Sequence, residues 1–383
     1  MATPLVHADR MLSHRRRAYS HPAGGEAMPI KYLGSKRRLV SQLGQMLEQS
    51  GAKTALDLFT GTTRVAQAFK QRGAHVTAVD AARYSEVFAQ CYIATDAATI
   101  DKDELREALE HLAGLPGHDG YFTKTFCEQA RFFKPENGRR VDAIRDALES
   151  EYKSSPLYPV LLTSLIEAAD RVDSTTGVHM AYLKSWAPRA HNDLELRSPE
   201  LLPGPGRAVR ALAEESAREL GHFDLAYLDP PYNQHRYYTN YHIWETLVAW
   251  DAPEPYGIAC KRIDSRDEKT KSVFNKKREM PAALKQTIEN VQADVVVLSY
   301  NNESWISPEE LVAACSVHGE VRVLAFDSKR YVGAQIGIFN LKGDKVGKVS
   351  HLRNVEYVLV AGERDRVEET VKNVAEPAQQ SLF

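Results

Sequence analysis

The stretch TALDLFTGTTRVAQAFKQRGAHVTAVD, residues 54–80, decides the fold that we predict for this sequence. It reads as a short apolar strand, a glycine turn, a helix, a second turn and a second apolar strand. In the helix, Val65, Ala66 and Phe69 share one face, which can lie against a sheet. A later strand, FDLAYLD, is also continuously apolar, as buried parallel strands tend to be. The sequence therefore predicts a doubly wound α/β fold.

Composition and periodicity divide the chain into five regions. Residues 1–27 carry an arginine triplet without a sustained apolar period, so we expect a flexible extension there and a flexible tail over 366–383. Residues 28–96 contain the strand–helix–strand unit. Residues 97–200 hold helical stretches broken by glycine and proline, which we interpret as an inserted, mainly helical module. Residues 201–365 return to an α/β pattern that completes the sheet.

The C-terminal third shows that returning pattern most clearly. ADVVVLSY, RVLAF and VEYVLV read as strands, and SPEELVAACSVHG reads as a helix with Ser307 as its N-cap. These elements would supply the remaining strands of the sheet.

Overall composition bounds the class of protein. The 383 residues are 43% hydrophobic and 26% charged, which is ordinary for a globular protein. The four cysteines are far apart, so neither a zinc site nor a disulfide framework is indicated, and a reducing, cytoplasmic location is expected. No apolar run approaches the ~20 residues that span a bilayer, so no membrane role is expected. The net charge of −2 leaves nucleic acid open as a partner, because binding depends on local patches.

The strongest chemical signal is Asp229-Pro230-Pro231-Tyr232, directly after the strand FDLAYL. In open parallel sheets, ligands bind beyond the carboxyl ends of the strands. An aminopurine nitrogen is a poor nucleophile because its lone pair is conjugated into the ring. The Asp229 carboxylate and the Pro230 carbonyl could accept its two hydrogens and favour attack on a methyl sulfonium, while Tyr232 stacks on an extruded base. The alternative is a double-proline turn that merely ends a strand.

A second candidate site follows the first two strands. Asp57, Phe59 and Gly61 come after the first strand, and Asp80 ends the next. A glycine turn lets the backbone approach a ligand, and an acid at the second strand end suits ribose hydroxyls. The full glycine pattern of a phosphate-binding turn is absent, which favours a cofactor without phosphate. NAD remains an alternative, as does a structural turn with Asp80 as a helix cap.

A basic run lies after the double-proline motif. Residues 261–278, within a predicted loop over 257–282, carry eight Lys or Arg against three acidic residues. Such a run can contact a phosphate backbone, and we expect Lys276, Lys277 and Arg278 to do so. The alternative is a solvated loop.

Three motifs, in this order, resemble the Dam-like (DPPY) family of adenine-N6 DNA methyltransferases. They are IKYLGSK at 30–36, DLFTGTTRVA at 57–66 with Asp80 downstream, and DPPY continuing into NQHRYYTNYHIWETL. The resemblance implies a Rossmann-like doubly wound sheet of the S-adenosylmethionine-dependent methyltransferase type. It also implies S-adenosylmethionine as methyl donor, no metal, double-stranded DNA as substrate, and residues 97–200 as a target-recognition region.

The resemblance also assigns residues. Tyr32 and Lys36 take the places of donor-contacting residues in the first motif, and Thr63 stands where the family commonly has a second glycine. Lys329 and Arg330 would face the DNA or the flipped base. The full expected donor site comprises Tyr32, Lys36, Asp57, Phe59, Gly61, Asp80 and Asp229.

Several other functions are alternatives to adenine methylation. Cytosine-N4 methylation uses the same geometry, usually with Ser in place of Asp229. Cytosine-C5 methylation needs a cysteine after proline, which the sequence lacks, and protein-amide methylation favours Asn over Asp229. An inactive DNA-binding protein and an NAD-dependent oxidoreductase represent different classes. We expect adenine methylation at specific DNA sites, either beside a cognate restriction endonuclease or by an enzyme that works alone.

Overall fold

The computed structural model describes residues 30–32, 36, 39–231, 234, 236–302, 304–329, 338–339, 345–347 and 353–374. The predicted extension over 1–27 lies outside these residues.

A seven-stranded sheet forms the centre of the molecule, in the order β3-β2-β1-β4-β5-β7-β6. The first five strands in chain order run parallel, whereas β7 is antiparallel to both β5 and β6. The sheet is therefore largely parallel, as predicted. Its strands are β1 (Thr54–Asp57), β2 (His75–Asp80), β3 (Arg207–Arg210), β4 (His222–Leu228), β5 (Gln292–Asn301), β6 (Glu320–Lys329) and β7 (Arg353–Gly362).

Two short antiparallel ribbons accompany the sheet. One pairs Pro255–Tyr256 with Lys261–Arg262, and the other pairs Ile338–Phe339 with Lys345–Gly347.

Helices surround the sheet and fill the region before β3. The α-helices are α1 (Val40–Ser50), α2 (Arg64–Gln71), α3 (Arg83–Ala89), α4 (Lys102–Gly114), α5 (Pro135–Ala147), α6 (Tyr158–Val172), α7 (Ala213–Ser216), α8 (Tyr237–Asn240), α9 (His242–Ala249), α10 (Met280–Asn290), α11 (Pro308–Cys315) and α12 (Arg364–Val371). Three π-helical segments are Gln90–Ala94, Thr123–Gln129 and Leu148–Tyr152. Short 3₁₀ turns are Ala97–Thr99, Pro188–His191, Ile263–Arg266, Glu268–Thr270, Val273–Asn275 and Ser316–His318.

Apolar side chains pack on both faces of the sheet, which makes the fold doubly wound. In β5, Val295 and Val297 belong to one core and Val296 and Leu298 to the other, because successive side chains point to opposite faces. Helices α1, α2, α3 and α12 pack in the first core, and α7, α10 and α11 pack in the second.

The region expected as an insertion is mainly helical between α4 and α6. Its buried side chains, among them Leu105, Phe126 and Leu165, belong to the same apolar core as α1, α2 and α3. This region therefore packs as a continuation of the first core.

The C-terminal tail begins later than expected. Residues 366–371 were predicted to be flexible, and this is wrong because they belong to α12. Val367 and Thr370 are fully buried, and Val374 is nearly so. The sequence RDRVEETV is too polar to reveal the helix, which packs against α1.

Candidate active site

Three acidic side chains meet at the carboxyl edge of the parallel strands. Asp57 ends β1, Asp80 ends β2, and Asp229 follows β4. The strand register brings these ends together, since Asp57 pairs with both Ala78 and Tyr227. A cavity of about 610 Å³ opens at this edge. Seven residues predicted for donor binding line it: Tyr32, Lys36, Asp57, Phe59, Gly61, Asp80 and Asp229.

The two prolines of the motif have different surroundings. Pro231 lines the cavity, whereas Pro230 is buried and does not contribute to the lining. Tyr232 lies outside the described residues, so its predicted stacking role stays a prediction.

The Asp57 carboxylate is bonded within its own turn. Its Oδ2 accepts hydrogen bonds from Thr60 Oγ1 at 2.9 Å and from the Ala66 backbone N–H at 3.2 Å. Burial raises the pKa of Asp57 to about 7; the Thr60 bond opposes this shift, and the nearby Asp229 charge adds to it. These bonds show that Asp57 shapes the turn that carries Gly61.

Asp80 connects the ends of β1 and β2. Its Oδ2 accepts from the Gly61 N–H and its Oδ1 from the Ala82 N–H, both at 2.9 Å. Burial raises its pKa, although these backbone bonds oppose the shift. Asp80 also lines the cavity, so it is placed to contact a bound ligand.

The turn after β1 needs left-handed backbone at two positions. Gly61 has φ +52°, and a Cβ placed there would lie 3.1 Å from the Tyr32 ring. Thr63 has φ 62° although it carries a branched side chain. Thr63 therefore adopts the conformation that glycine favours, at a cost of roughly 1–2 kcal/mol.

Tyr32 belongs to an aromatic cluster beside the cavity, formed with Tyr84, Tyr237, Tyr241 and Trp244. Its ring stacks on Tyr241 at 4.8 Å between centroids and on Tyr237 at 5.4 Å. The aromatic partners of Tyr32 were not predicted from the sequence. Their signal is the i, i+4, i+7 spacing of Tyr237, Tyr241 and Trp244, which places them on one face of a helical segment.

Lys36 bridges the carboxylates of Asp229 and Glu356. Its Nζ lies 2.9 Å from Asp229 Oδ1 and 2.7 Å from Glu356 Oε1. Burial raises the pKa of Asp229 to about 6, Lys36 opposes that shift and Glu356 adds to it. We call Lys36, Asp229 and Glu356 the charge cluster. Glu356 was not predicted as a site residue, because it lies in the predicted strand VEYVLV with no local signal of a site.

The predicted DNA-contacting residues have varied surroundings. Lys276 lies 3.4 Å from a Glu279 carboxylate oxygen and 3.8 Å from one of Glu268, whereas Lys277 and Arg278 are exposed. None of the three lines the main cavity. Lys329 ends β6 and its side chain is not described, and Arg330 lies outside the described residues.

A second cavity of about 470 Å³ adjoins the first, and we call it the basic groove. Its described lining includes four cations and no carboxylate. Arg236 and Lys271 line both cavities, and the Arg266 guanidinium lies 4.1 Å from the Tyr256 ring centroid. The groove cations are Arg236, Lys261, Arg266 and Lys271. Arg262, from the same basic run, is instead buried in ion pairs with Asp251 and Asp264.

The described part of the chain shows neither a metal centre nor a membrane-spanning helix. No group of three or more His, Cys, Asp or Glu side chains there is arranged to hold a metal ion. Among the same residues, no helix has the length and apolar character needed to cross a membrane.

A largely parallel α/β sheet with acidic strand ends around one cavity is consistent with a methyltransferase fold. Residues 32–314 match the family of D12 class N6 adenine-specific DNA methyltransferases, and the chain belongs to that family.

Curated relatives agree with this assignment. Modification methylase StsI from Streptococcus sanguinis is 30% identical over 79% of this chain and 49% of its own length. Type II methyltransferase M.FokI from Planomicrobium okeanokoites is 29% identical over 76% of this chain and 47% of its own length. Type II methyltransferase M.NlaIII from Neisseria lactamica is 28% identical over 85% of this chain and 96% of its own length. The chain thus spans about half of the first two relatives and nearly all of the third.

Proposed function

We propose that this protein transfers a methyl group from S-adenosylmethionine to the N6 nitrogen of adenine in double-stranded DNA. The observation that carries the proposal is the Asp229 carboxylate, held by Lys36 at the end of β4 beside the cavity. Membership in the adenine-specific family supports the choice of adenine over cytosine.

The cavity suits the methyl donor in size and in chemistry. Its volume of about 610 Å³ lies within the usual range of ~300–1,000 Å³ for small-molecule sites. Asp80 lines the cavity and is an acceptor suited to ribose hydroxyls. The absence of a side chain at Gly61 leaves room beside the Tyr32 ring. The aromatic cluster and the nearby carboxylates favour a cation such as a sulfonium.

The donor supplies an electrophilic methyl group whose leaving group is a neutral thioether. In the proposed reaction, Asp229 accepts a hydrogen bond from one N6–H of the target adenine. The Pro230 carbonyl accepts one from the other N6–H, which requires this carbonyl to face the cavity although Pro230 does not line it here. Both hydrogen bonds would draw the nitrogen lone pair out of conjugation and direct it towards the methyl carbon. As the C–N bond forms, the C–S bond of the donor would break, the neutral thioether would leave, and the methylated nitrogen would release one proton to solvent. The ionised form of Asp229 is required, because a protonated carboxyl would present a donor to the amino group.

We assign DNA contacts to the basic groove as well as to the predicted Lys276, Lys277 and Arg278. The four cations of the lining favour a phosphate backbone, although Lys271 also pairs with Glu268, and the groove shares Arg236 and Lys271 with the main cavity. A strand held there would present a base to Asp229. Tyr232 as stacking partner, Lys329 and Arg330 as DNA contacts, and residues 97–200 as the target reader complete the proposal.

The relatives named as modification methylases and Type II methyltransferases suggest the biological setting. We propose that the protein protects DNA against a cognate restriction endonuclease and acts in the cytoplasm, at the nucleoid. The partner enzyme would cleave the same DNA sequence.

Sequencing DNA from a host that expresses the protein tests the proposal. Reads that report modified bases should show N6-methyladenine at one recurrent sequence, absent from a host with the empty vector. Modification at cytosine N4, or none, would exclude adenine methylation under these conditions. Thermal shift should show stabilisation by S-adenosylmethionine, and stabilisation by NAD alone would indicate an oxidoreductase.

A further inference from the structure

We propose that Glu356 is a positioning residue for methyl transfer, which holds Lys36 so that Asp229 keeps one carboxylate oxygen for the adenine amino group. The inference rests on the proposed function and adds to it a residue on the last strand of the sheet.

The strand topology explains how Glu356 reaches the site. Strand β7 runs antiparallel to β5, so its N-terminal half lies at the edge where the parallel strands end. Glu356 pairs in register with Asn301, near the end of β5. Asn301 Nδ2 lies 3.5 Å from Glu356 Oε2, and the other oxygen, Oε1, faces Lys36 Nζ at 2.7 Å. Glu356 is thus held from one side and holds Lys36 from the other.

The position of Lys36 determines which oxygen of Asp229 remains for a ligand. Lys36 contacts Asp229 through Oδ1, which is fully buried. The Asp229 side chain nevertheless keeps 18% of its surface exposed, more than the 6% of Lys36 and the 10% of Glu356. Because Oδ1 is buried, the exposed surface lies on the rest of the side chain, and Asp229 lines the cavity.

Without the Glu356 charge, Lys36 would have Asp229 as its acidic partner in the charge cluster. An ammonium group carries three donors, so it would move towards Asp229 and compete with the adenine amino group for the carboxylate. Methyl transfer would slow even though the surfaces that bind donor and DNA remain.

The charge cluster also predicts the sign of a pH effect. The groups that face Asp229 are Lys36, Glu356, Asp57 and the Tyr227 hydroxyl. The negative charge of Glu356 raises the pKa of Asp229, and the positive charge of Lys36 lowers it. Because the ionised Asp229 is the active form, the acid limb of the rate profile follows its pKa.

The test is the pH profile of single-turnover methyl transfer to duplex DNA by Glu356→Gln. Glutamine keeps the shape and removes the charge. We expect a rate at pH 8 about 10- to 100-fold lower, as for other groups that orient a direct contact. We also expect the acid limb to move to lower pH, with the dissociation constants for donor and DNA nearly unchanged.

Glu167→Gln is the matched control. Glu167 is a mostly buried glutamate that accepts a hydrogen bond from the Tyr92 hydroxyl and does not line the cavity. Its variant should retain the wild-type acid limb. Lys36→Gln should shift the acid limb in the opposite direction, to higher pH, because it removes the ammonium charge.

An unchanged acid limb in Glu356→Gln, with only a lower melting temperature, would show a structural role and overturn the proposal. If Glu356→Gln does not fold, Lys36→Gln takes its place as the test. An acid limb of Lys36→Gln that does not move to higher pH would then overturn the proposal. Wild-type activity is measured in the same assay. A wild-type protein that transfers no methyl group contradicts the proposed function, whereas a difference between variants bears on Glu356 alone.

Discussion

Single residues set the properties of the turn after β1, and Asp80 is the first to test. Replacement by Ala removes a charged acceptor for the ribose hydroxyls and the tie to the Gly61 N–H. We expect donor affinity to fall by about 1.5–3 kcal/mol in calorimetry. Asp80→Asn keeps one acceptor oxygen and should lose less. Equal donor affinity in Asp80→Ala and wild type would remove Asp80 from the donor site.

Gly61 and Thr63 both have positive φ, yet they predict opposite outcomes. Gly61→Ala should lower stability and donor affinity, since the new Cβ would lie 3.1 Å from the Tyr32 ring at an unfavourable φ. Thr63→Gly relieves a strained backbone, although it gives up the hydrogen bond from Gln67 Nε2 to Thr63 Oγ1. Urea denaturation should therefore show a much smaller loss for Thr63→Gly than for Gly61→Ala. The reverse order would show that the turn is not constrained as described.

At the scale of elements, the basic groove and the segment 276–278 make separable predictions. Lys261→Ala with Arg266→Ala should weaken binding to all DNA sequences and flatten its salt dependence by up to about 0.9 per lost contact. We expect a smaller effect from neutralising Lys276, Lys277 and Arg278, because Lys276 lies near two carboxylates. Fluorescence anisotropy over a salt series measures both slopes.

Lys285→Ala serves as the control for that comparison. Its side chain is 65% exposed on α10 and it lines neither cavity. The salt slope of this variant should match the wild type. If the double variant in the groove also matches it, the groove does not contact phosphate.

A buried residue of helix α12 tests whether this part of the C-terminus packs on the core. Val367→Ala removes two buried methyl groups and should cost about 1.5 kcal/mol of unfolding free energy. Glu368→Ala, which alters surface ion pairs with Arg322 and Arg364, should change it by less than about 0.5 kcal/mol. Equal effects in chemical denaturation would mean that α12 does not pack on the core.

The elements that the sequence predicted are those whose signal is local. Buried parallel strands such as β1, β2 and β4 are continuous apolar runs, and Ser307 caps α11 with a capping box that its own sequence encodes. Helix α12 was missed because tertiary packing, rather than its polar sequence, stabilises it. The same limit applies to Glu356, which meets Lys36 across 320 positions of the chain through strand pairing.

At the scale of the whole molecule, the ionised Asp229 that the proposed reaction needs lowers the stability of the fold. The pKa of Asp229 is raised to about 6 from 3.8, so the folded protein binds a proton more tightly than the unfolded chain. The contribution of this group to stability is therefore present below about pH 4 and is lost as the pH rises to about 6. Above pH 6 the buried charge is a cost, which the neutral Asp229→Asn would lack. We expect that variant to melt no lower than wild type at pH 8, and a marked loss would indicate that Asp229 mainly stabilises the fold.

The most direct test of the account is single-turnover transfer of labelled methyl to duplex DNA, with the product nucleoside identified by mass. Wild type should yield N6-methyladenine, with a rate that falls below about pH 6 as Asp229 becomes protonated. Asp229→Asn should stay folded and bind the donor, yet lose about 10²- to 10³-fold in rate because its amide can present a donor to the amino group. Wild-type rates in Asp229→Asn, or label on cytosine, would contradict the account.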